Sequence, residues 1–394
     1  MKKYLLAGTA LAGAVAFGGQ AFAQAEPVSL ELSGVADFQA GVASEDNDGA
    51  RDRDYDFLTD GEIVFEFSGV TDNGLSFGGE LELDGVTTND GVGVDELFAF
   101  IGGDAWGQVR LGDKEGPLGN FAIAAPVAGD GIWDGGFGSY VTGTTPNVDG
   151  FDNDLGDSTK IHYLTPNFSG FQAGIAFAPN DQEGATGSDD LTDASSTGGE
   201  ELTVVEGGPI ADLNGDGDTA DSFPITSDET TTGRPEHENF FSIGGAYGGD
   251  FGATSVELAG GFGFADYVGA NADDDDFMTT NLGLNVGFGG FTVGGSWVAL
   301  LESGGSGIED RNNFTLGASY TTGMWTVGVS GLYTQTDLET GGENEGYTIG
   351  AGVDYDIATG LNLYADLVYF EADQADDADD NDGVVGLAGV AASF

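Results

Sequence analysis

Basic side chains are rare in this chain of 394 residues, which has nine lysine and arginine residues against 68 aspartate and glutamate residues. Four of the few non-acidic ionisable groups stand just before and just after residues 116–158, namely Arg110, Lys114, Lys160 and His162. Such groups could form ordinary salt bridges, or they could set up an electric field across a water-filled passage. Hydrolysis is not indicated, because the chain has one other histidine, no cysteine and no serine in a nucleophile motif.

A second candidate site is a calcium site in residues 179–238. These residues form the longest predicted connection, which is strongly acidic. Its central run places oxygen-bearing side chains at alternate positions, Asp212, Asn214, Asp216 and Asp218. This spacing, with a glycine at the sixth position, matches the start of an EF-hand loop. Phe223 stands where that loop requires a glutamate, so an acidic low-complexity loop is an equal alternative. We expect weak Ca²⁺ binding there and no other cofactor.

Period-two alternation runs through the chain and predicts the elements that must position these groups. In residues 291–301, Phe291 and Trp297 belong to an apolar set that alternates with small side chains such as Thr292 and Gly294. Sixteen such segments predict strands near 28–43, 57–71, 75–88, 94–102, 106–115, 159–166, 171–178, 239–248, 252–266, 277–288, 291–302, 312–321, 325–336, 345–357, 361–371 and 383–394.

The predicted connections alternate in length. Tight hairpin turns are indicated at residues 71–74, 166–170, 289–290, 321–324 and 358–360. Every other connection is longer and mostly acidic. Short turns at one end of the strands and long loops at the other are typical of outer-membrane barrels.

The first residues indicate export. Lys2 and Lys3 precede an apolar stretch at residues 4–17, and residues 21–23 supply the small side chains of a cleavage site. We therefore predict a signal peptide at 1–23 and a single domain at 24–394. A transmembrane anchor is the alternative, which the short length of the apolar stretch disfavours.

The fold class follows from backbone hydrogen bonding. Inside a bilayer every backbone N–H and C=O must be paired within the protein, which only helices and closed barrels achieve. After residue 23 no apolar run is long enough for a membrane helix, so we predict an all-β fold, a sixteen-stranded antiparallel transmembrane β-barrel. A secreted β-sandwich or adhesin is the alternative, although its strands would not keep one face polar throughout.

Strand parity assigns side chains to the two faces of this barrel. If Leu111 faces lipid, Arg110 faces the lumen. In the same way, if Ile161 faces lipid, Lys160 and His162 face the lumen. The predicted pore-lining basic residues are therefore Arg110, Lys114, Lys160 and His162. The predicted lumen carboxylates include Glu62, Glu66, Glu80, Glu82, Glu257, Asp354, Asp356 and Asp366. Carboxylates around a wet channel attract cations, so we expect cation preference.

Several local motifs carry a family resemblance. They are residues 32–34 (LSG), the hairpin at 63–78 (IVFEFSGVTDNGLSFG), residues 107–113 (GQVRLGD) and Phe394. In these the chain resembles the alphaproteobacterial general porins, the family that contains the Rhodobacter porin. The resemblance implies a trimer of sixteen-stranded barrels, each with its third loop folded into the lumen.

Residues 116–158 correspond to that third loop. Large apolar residues such as Phe121 and Phe137 could pack on an inner wall, and a disordered surface loop is the alternative. Its predicted pore-lining carboxylates are Asp130, Asp134, Asp149, Asp152 and Asp154. The resemblance further implies that Arg51 and Arg53 contribute to the constriction.

These observations together predict passive diffusion of small hydrophilic solutes and ions through a homotrimer in the outer membrane of a Gram-negative cell. Its expected surroundings are outer-membrane lipids and lipopolysaccharide. A formal net charge of −59 argues against a nucleic-acid partner. A plugged or adhesive barrel that acts through its acidic loops is the alternative, and no enzymatic activity is expected.

Overall fold

A computed structural model describes residues 26–46, 53–85, 93–129, 136–146, 156–181, 237–268, 276–303, 307–375 and 379–394. The predicted signal peptide lies outside the described residues, as do Asp212, Asn214, Asp216 and Asp218 of the predicted calcium loop. Among the residues described, no helix is long and apolar enough to cross a membrane.

Sixteen antiparallel strands form one closed barrel, in which each strand pairs with its neighbours in sequence and β1 pairs with β16. The strands are β1 (Glu26–Glu45), β2 (Tyr55–Val70), β3 (Ser76–Asp84), β4 (Gly93–Gly103), β5 (Gly107–Asp113), β6 (Thr159–Leu164), β7 (Phe171–Asn180), β8 (His237–Phe251), β9 (Thr254–Tyr267), β10 (Phe277–Phe288), β11 (Phe291–Ser303), β12 (Ile308–Thr322), β13 (Trp325–Leu338), β14 (Glu343–Ala358), β15 (Leu361–Asp373) and β16 (Asn381–Ser393). The predicted fold class is confirmed.

The predicted alternation of the connections holds less strictly at one end of the barrel. The strands β12, β13 and β14 extend beyond the predicted bounds, so residues 304–307 and 339–342 are the whole of two connections expected to be long. Leu338 and Gly342 close the second of these with backbone hydrogen bonds. The connections between β11 and β12 and between β13 and β14 are therefore short, although long ones were expected.

The outer face of the wall is apolar. Leu316, Val329, Ile349 and Leu367 are each more than half exposed although they lie within paired strands. Their chain neighbours on the other face, such as Thr348, are buried. An apolar belt of this extent is stable only against lipid, and closure of the barrel leaves no strand edge unpaired within it.

The long connection between β5 and β6 contains the remaining regular structure. A short helix, α1, spans Pro117–Asn120, and a 3₁₀ turn spans Gly136–Tyr140. Leu118 of the helix and Phe137 of the turn are completely buried. Both elements therefore pack on the barrel, and what they touch defines the site.

Candidate pore constriction

A charged group lies on the inner face of β3–β5, and we call Glu80, Glu96, Phe98, Arg110 and Lys114 the Phe98 cluster. The Lys114 ammonium forms a close ion pair with Glu96 and lies 3.6 Å from Glu80 Oε1. Its Nζ is 5.0 Å from the centroid of the Phe98 ring, and Arg110 Cζ is 5.5 Å from the same centroid. The ring thus holds two cations beside two carboxylates, an arrangement that cation–π attraction supports.

Strand register brings these residues together. Glu80 of β3 lies opposite Phe98 of β4, which lies opposite Gly112 of β5. Lys114 follows the last residue of β5, and burial opposes its charge. The carboxylates of Glu96 and Glu80 outweigh burial and raise the pKa of Lys114 above its usual value. The ammonium therefore stays charged and fixed in place.

Arg110 is held by the long connection as well as by the wall. Its Nε donates to Gln108 Oε1 at 2.7 Å, and a terminal nitrogen donates to Asn120 Oδ1 at 3.1 Å. The Asn120 amide in turn donates to the carbonyls of Glu115 and Gly116 at 2.9 and 3.0 Å. The guanidinium therefore fixes where the connection leaves the wall.

Lys160 and His162 lie on β6 and point inward, as strand parity predicts. His162 is opposite Arg110 in the register, and Lys160 Nζ donates to the Gly156 carbonyl at 2.6 Å. Only 3% of Lys160 and 1% of His162 is exposed, so protein covers both side chains. Both were predicted to line the pore. Their side chains lie on the inner side of the wall but are not exposed to water there.

The neighbouring inner wall is acidic. Glu31, Glu66 and Glu80 stand in one row across β1, β2 and β3. Carboxylate oxygens of Glu80, Glu82 and Glu96 lie within 4.8 Å of one another. The predicted lumen residue Glu62 lies farther along β2, opposite Val35. Clustered carboxylates of this kind attract mobile cations.

The first part of the long connection packs on the opposite inner wall. Leu118 belongs to an apolar cluster with Ala178, Phe240, Ala265, Phe277 and Leu300, which come from strands β7–β11. Two wall amides hold its backbone. Asn281 Nδ2 donates to the Leu118 carbonyl at 2.8 Å, and Asn285 Nδ2 donates to the Ala124 carbonyl at 3.1 Å. Wall side chains thus replace the hydrogen bonds that this irregular backbone loses on burial.

Further along, the connection lies directly against glycines of the wall. A Cβ on Gly317 would overlap the Pro126 carbonyl oxygen, and one on Gly328 would lie 2.8 Å from the Ala128 nitrogen. Gly129 N then donates to Asp354 Oδ2 at 3.0 Å. Glycine is needed on β12 and β13 because the backbone of the connection occupies the space of a side chain.

The 3₁₀ turn packs where the barrel closes. Phe137 and Tyr140 join an apolar cluster with Phe370, Val385 and Leu387 of β15 and β16. Beyond the turn, the backbone nitrogens of Thr142 and Gly143 each donate to the Glu45 carboxylate at 2.9 Å. The described parts of residues 116–158 therefore contact inner-face residues from β7 round to β1.

One predicted site residue, Arg53, has a described partner outside the Phe98 cluster, and several others lie outside the described residues. Arg53 forms an exposed ion pair with Asp56, with 3.0 Å between the guanidinium nitrogen and the carboxylate oxygen. Arg51 lies outside the described residues, as do Asp130, Asp134, Asp149, Asp152 and Asp154. Whether those carboxylates face the Phe98 cluster stays a prediction.

Sequence reasoning missed Glu96 and Phe98. Both faces of β4 are apolar, with Leu97 and Ile101 exposed outside and Phe98 and Phe100 inside, so alternation does not mark an inner face. The signal that could have found Glu96 is its position two residues before Phe98, on the same face. The acids predicted on β3, Glu80 and Glu82, mark that neighbouring face as the lumen side.

Comparison with known proteins gives a consistent picture. The family model described as Gram-negative porin matches residues 7–375. No curated protein sequence matches the chain.

Among solved structures, a mutant of the Rh. blastica porin is 17% identical, with a TM-score of 0.55, covering 93% of this chain and 100% of that one. An anion-selective porin from Comamonas acidovorans is 18% identical, with a TM-score of 0.55 and the same coverage of both chains. OmpT of Vibrio cholerae, in a trimer form, is 11% identical with a TM-score of 0.54, covering 94% of this chain and 100% of that one. At these identities the structural likeness bears on the fold alone.

Proposed function

Because this chain belongs to the Gram-negative porin family and is an integral outer-membrane channel protein, we propose that it conducts small hydrophilic solutes and ions passively, with a preference for cations. The sequence resemblance to porins is confirmed by the family match over residues 7–375. Members of this family are channels, and we propose no catalytic turnover for this one.

The observation that carries the cation preference is the row of carboxylates Glu31, Glu66 and Glu80 on the inner wall. Glu66 is exposed although β2 pairs with a strand on each side at this position, so it meets water inside the barrel, and Glu31 is exposed beside it on β1. The cations Arg110 and Lys114 are already engaged by amide and carboxylate oxygens. A permeating cation would therefore meet uncompensated negative charge.

The barrel fold alone does not decide the sign of the selectivity. The similar porin from Comamonas acidovorans is anion-selective. The preference proposed for this chain therefore rests on its own side chains, with nine basic against 68 acidic residues.

We further propose that residues 116–158 narrow the lumen. Leu118 and Phe137 anchor two parts of this connection to inner-face clusters. The Phe98 cluster, beside its first residues, would form one side of the constriction. A homotrimer is proposed by analogy with OmpT, whose structure is a trimer form.

Planar-bilayer recordings test this proposal. The purified chain should open in discrete steps, in groups of three if it inserts as trimers. In a KCl gradient the reversal potential should have the sign of a cation-preferring pore. That preference should weaken between 0.1 and 1 M salt, because the Debye length falls from about 10 to about 3 Å. A membrane with folded barrel but no current would support a plugged or adhesive barrel, and an anion-signed potential would contradict the selectivity.

A further inference from the structure

A polar cavity of about 390 Å³ lies beside the ends of β12–β15, away from the Phe98 cluster. It opens between the ends of strands β12–β15 and the last described residues of the long connection before 156. Its lining consists of Thr144, Thr145, Pro146, Ile308, Arg311, Thr334, Thr336, Leu338, Asn344, Glu345 and Gln374. At about 30 Å³ for each water molecule, this volume corresponds to roughly a dozen waters.

The side chains around this cavity are mostly hydroxyls and amides. Thr334 is 3% exposed, and its hydroxyl has no hydrogen-bond partner within the described part of the chain. A buried hydroxyl of this kind costs free energy unless something in the cavity bonds to it. Thr336 differs, since its Oγ1 accepts from Arg311 Nε at 3.2 Å.

The charge of Glu345 is directed elsewhere. Its carboxylate accepts a hydrogen bond from the Tyr333 hydroxyl at 2.6 Å, and Tyr333 lies on the exposed outer face. Thr334 lies opposite Gly346, next to which Pro146 seats the connection. The cavity therefore combines hydroxyl and amide groups and the Arg311 guanidinium with apolar patches from Pro146 and Leu338.

We propose that this cavity is a binding site for a small polyhydroxylated solute of monosaccharide size. Hydroxyl and amide groups both donate and accept, which matches the hydroxyls of a sugar. The apolar patches suit the C–H faces of a sugar ring. Thr334 and Thr336 lie on the inner face of β13 beside residues 144–146 of the long connection. This inference therefore rests on the proposed channel function and names one class of solute that the channel would retain.

The test uses the full chain in planar bilayers, with D-glucose and myo-inositol as probes. In the wild type, each probe at increasing concentration lowers the ion current to a saturating level, beyond the change that viscosity causes. In Thr334→Val, the half-saturating concentration rises about fivefold, as expected for the loss of one hydrogen bond. Gln374→Ala, at the edge of the cavity, gives a smaller rise and serves if the first variant folds poorly.

Thr348→Val is the matched control. Thr348 also has a buried hydroxyl without a partner among the described residues, but it does not line the cavity. Its half-saturating concentration should equal that of the wild type. A current that falls only with viscosity, or an equal effect in both threonine variants, overturns the cavity proposal. Absence of ion current in salt alone instead overturns the channel function on which it rests.

Discussion

Two regions of the inner wall have the same strand geometry but differ in the side chains at their inward positions. On β2–β4 the inward positions carry glutamates, and the chain leaves Glu66 exposed to the lumen. On β12–β14 the inward positions include Gly317, Gly328 and Gly352, against which the backbone of the long connection lies. The glutamate-bearing strands expose a carboxylate to water. The glycine-bearing strands lack side chains at the positions where the backbone of the long connection contacts the wall.

The difference shows how a channel can be asymmetric although its wall is a uniform ladder. The connection is attached by uncharged contacts, such as the bond from Asn281 to Leu118, and by hydrogen bonds from its backbone to the carboxylates of Asp354 and Glu45. It leaves the wall at Arg110, beside the carboxylates. The glutamate cluster and the glycines that accept the connection therefore lie on different strands, and each group can be changed separately.

Removal of Lys114 should produce the largest effect. Lys114→Met leaves the Glu80, Glu82 and Glu96 carboxylates together without their cation, and loss of one partner from a buried ion pair costs about 3–5 kcal/mol. We expect a lower free energy of unfolding in detergent and a stronger cation preference. Lys114→Arg, which keeps the charge, should stay close to the wild type. A methionine variant with unchanged stability and selectivity would show that the pair is dispensable.

A methyl group on the glycine-bearing strands should have the next largest effect. Gly317→Ala places a Cβ on the Pro126 carbonyl oxygen, so the connection or the strand must move. We expect a loss of stability of about 1–3 kcal/mol, as for other overpacked interiors, with an increased single-channel conductance.

Gly386→Ala is the control for this change. A Cβ on Gly386 would meet its nearest atom at 3.8 Å, on Val42, so it fits without movement. Equal conductance and stability in the two alanine variants would mean that the connection does not rest on the wall at Gly317.

Neutralising one exposed lumen carboxylate should have a moderate effect. Glu66→Gln should lower the cation-to-anion permeability ratio by about fivefold or less, since one charge in a wet lumen contributes under about 1 kcal/mol. Glu343→Gln is the control, because Glu343 is exposed on the face of β14 that also carries Ile349. Reversal potentials in a KCl gradient measure both, and an equal change in the two variants would remove the carboxylate row from the explanation.

The smallest effect is expected at the start of β2. Arg53 and Asp56 are both exposed, with 59% and 49% of their side chains accessible, and water screens such pairs strongly. Arg53→Ala should leave the unfolding midpoint and the reversal potential within experimental error of the wild type. A clear shift in the potential would place Arg53 in the constriction, as the family resemblance implies.

Alternation was enough to predict the barrel because each strand has one face in lipid. Predicted and observed bounds coincide for β10 at 277–288. The bounds fail where side chains at the rim are charged on both faces. Thus β12 begins at Ile308 and not at the predicted residue 312. Arg311 pairs with Thr336 in the sheet, although a charged residue at this position is typical of a loop.

The site was less predictable because it depends on contacts across the lumen. Parity placed Arg110 inside, but not its bond to Asn120 or its position over Phe98. It also could not show that His162 is covered by protein, because strand parity gives only the face on which a side chain lies. Contacts such as Pro126 against Gly317 join residues far apart in sequence, and no local pattern encodes them.

The closure of the barrel constrains the order in which it can form. Residue 34 and residue 394 exchange backbone hydrogen bonds of 3.1 and 3.2 Å, so the first strand obtains its second partner only from the last. Pairings between such distant segments form slowly, because a long loop must close before any contact compensates for the lost entropy. Until then both terminal strands present unpaired edges that bind other chains readily. During assembly, closure of the barrel therefore competes with aggregation, and the competition ends when the last strand pairs with the first.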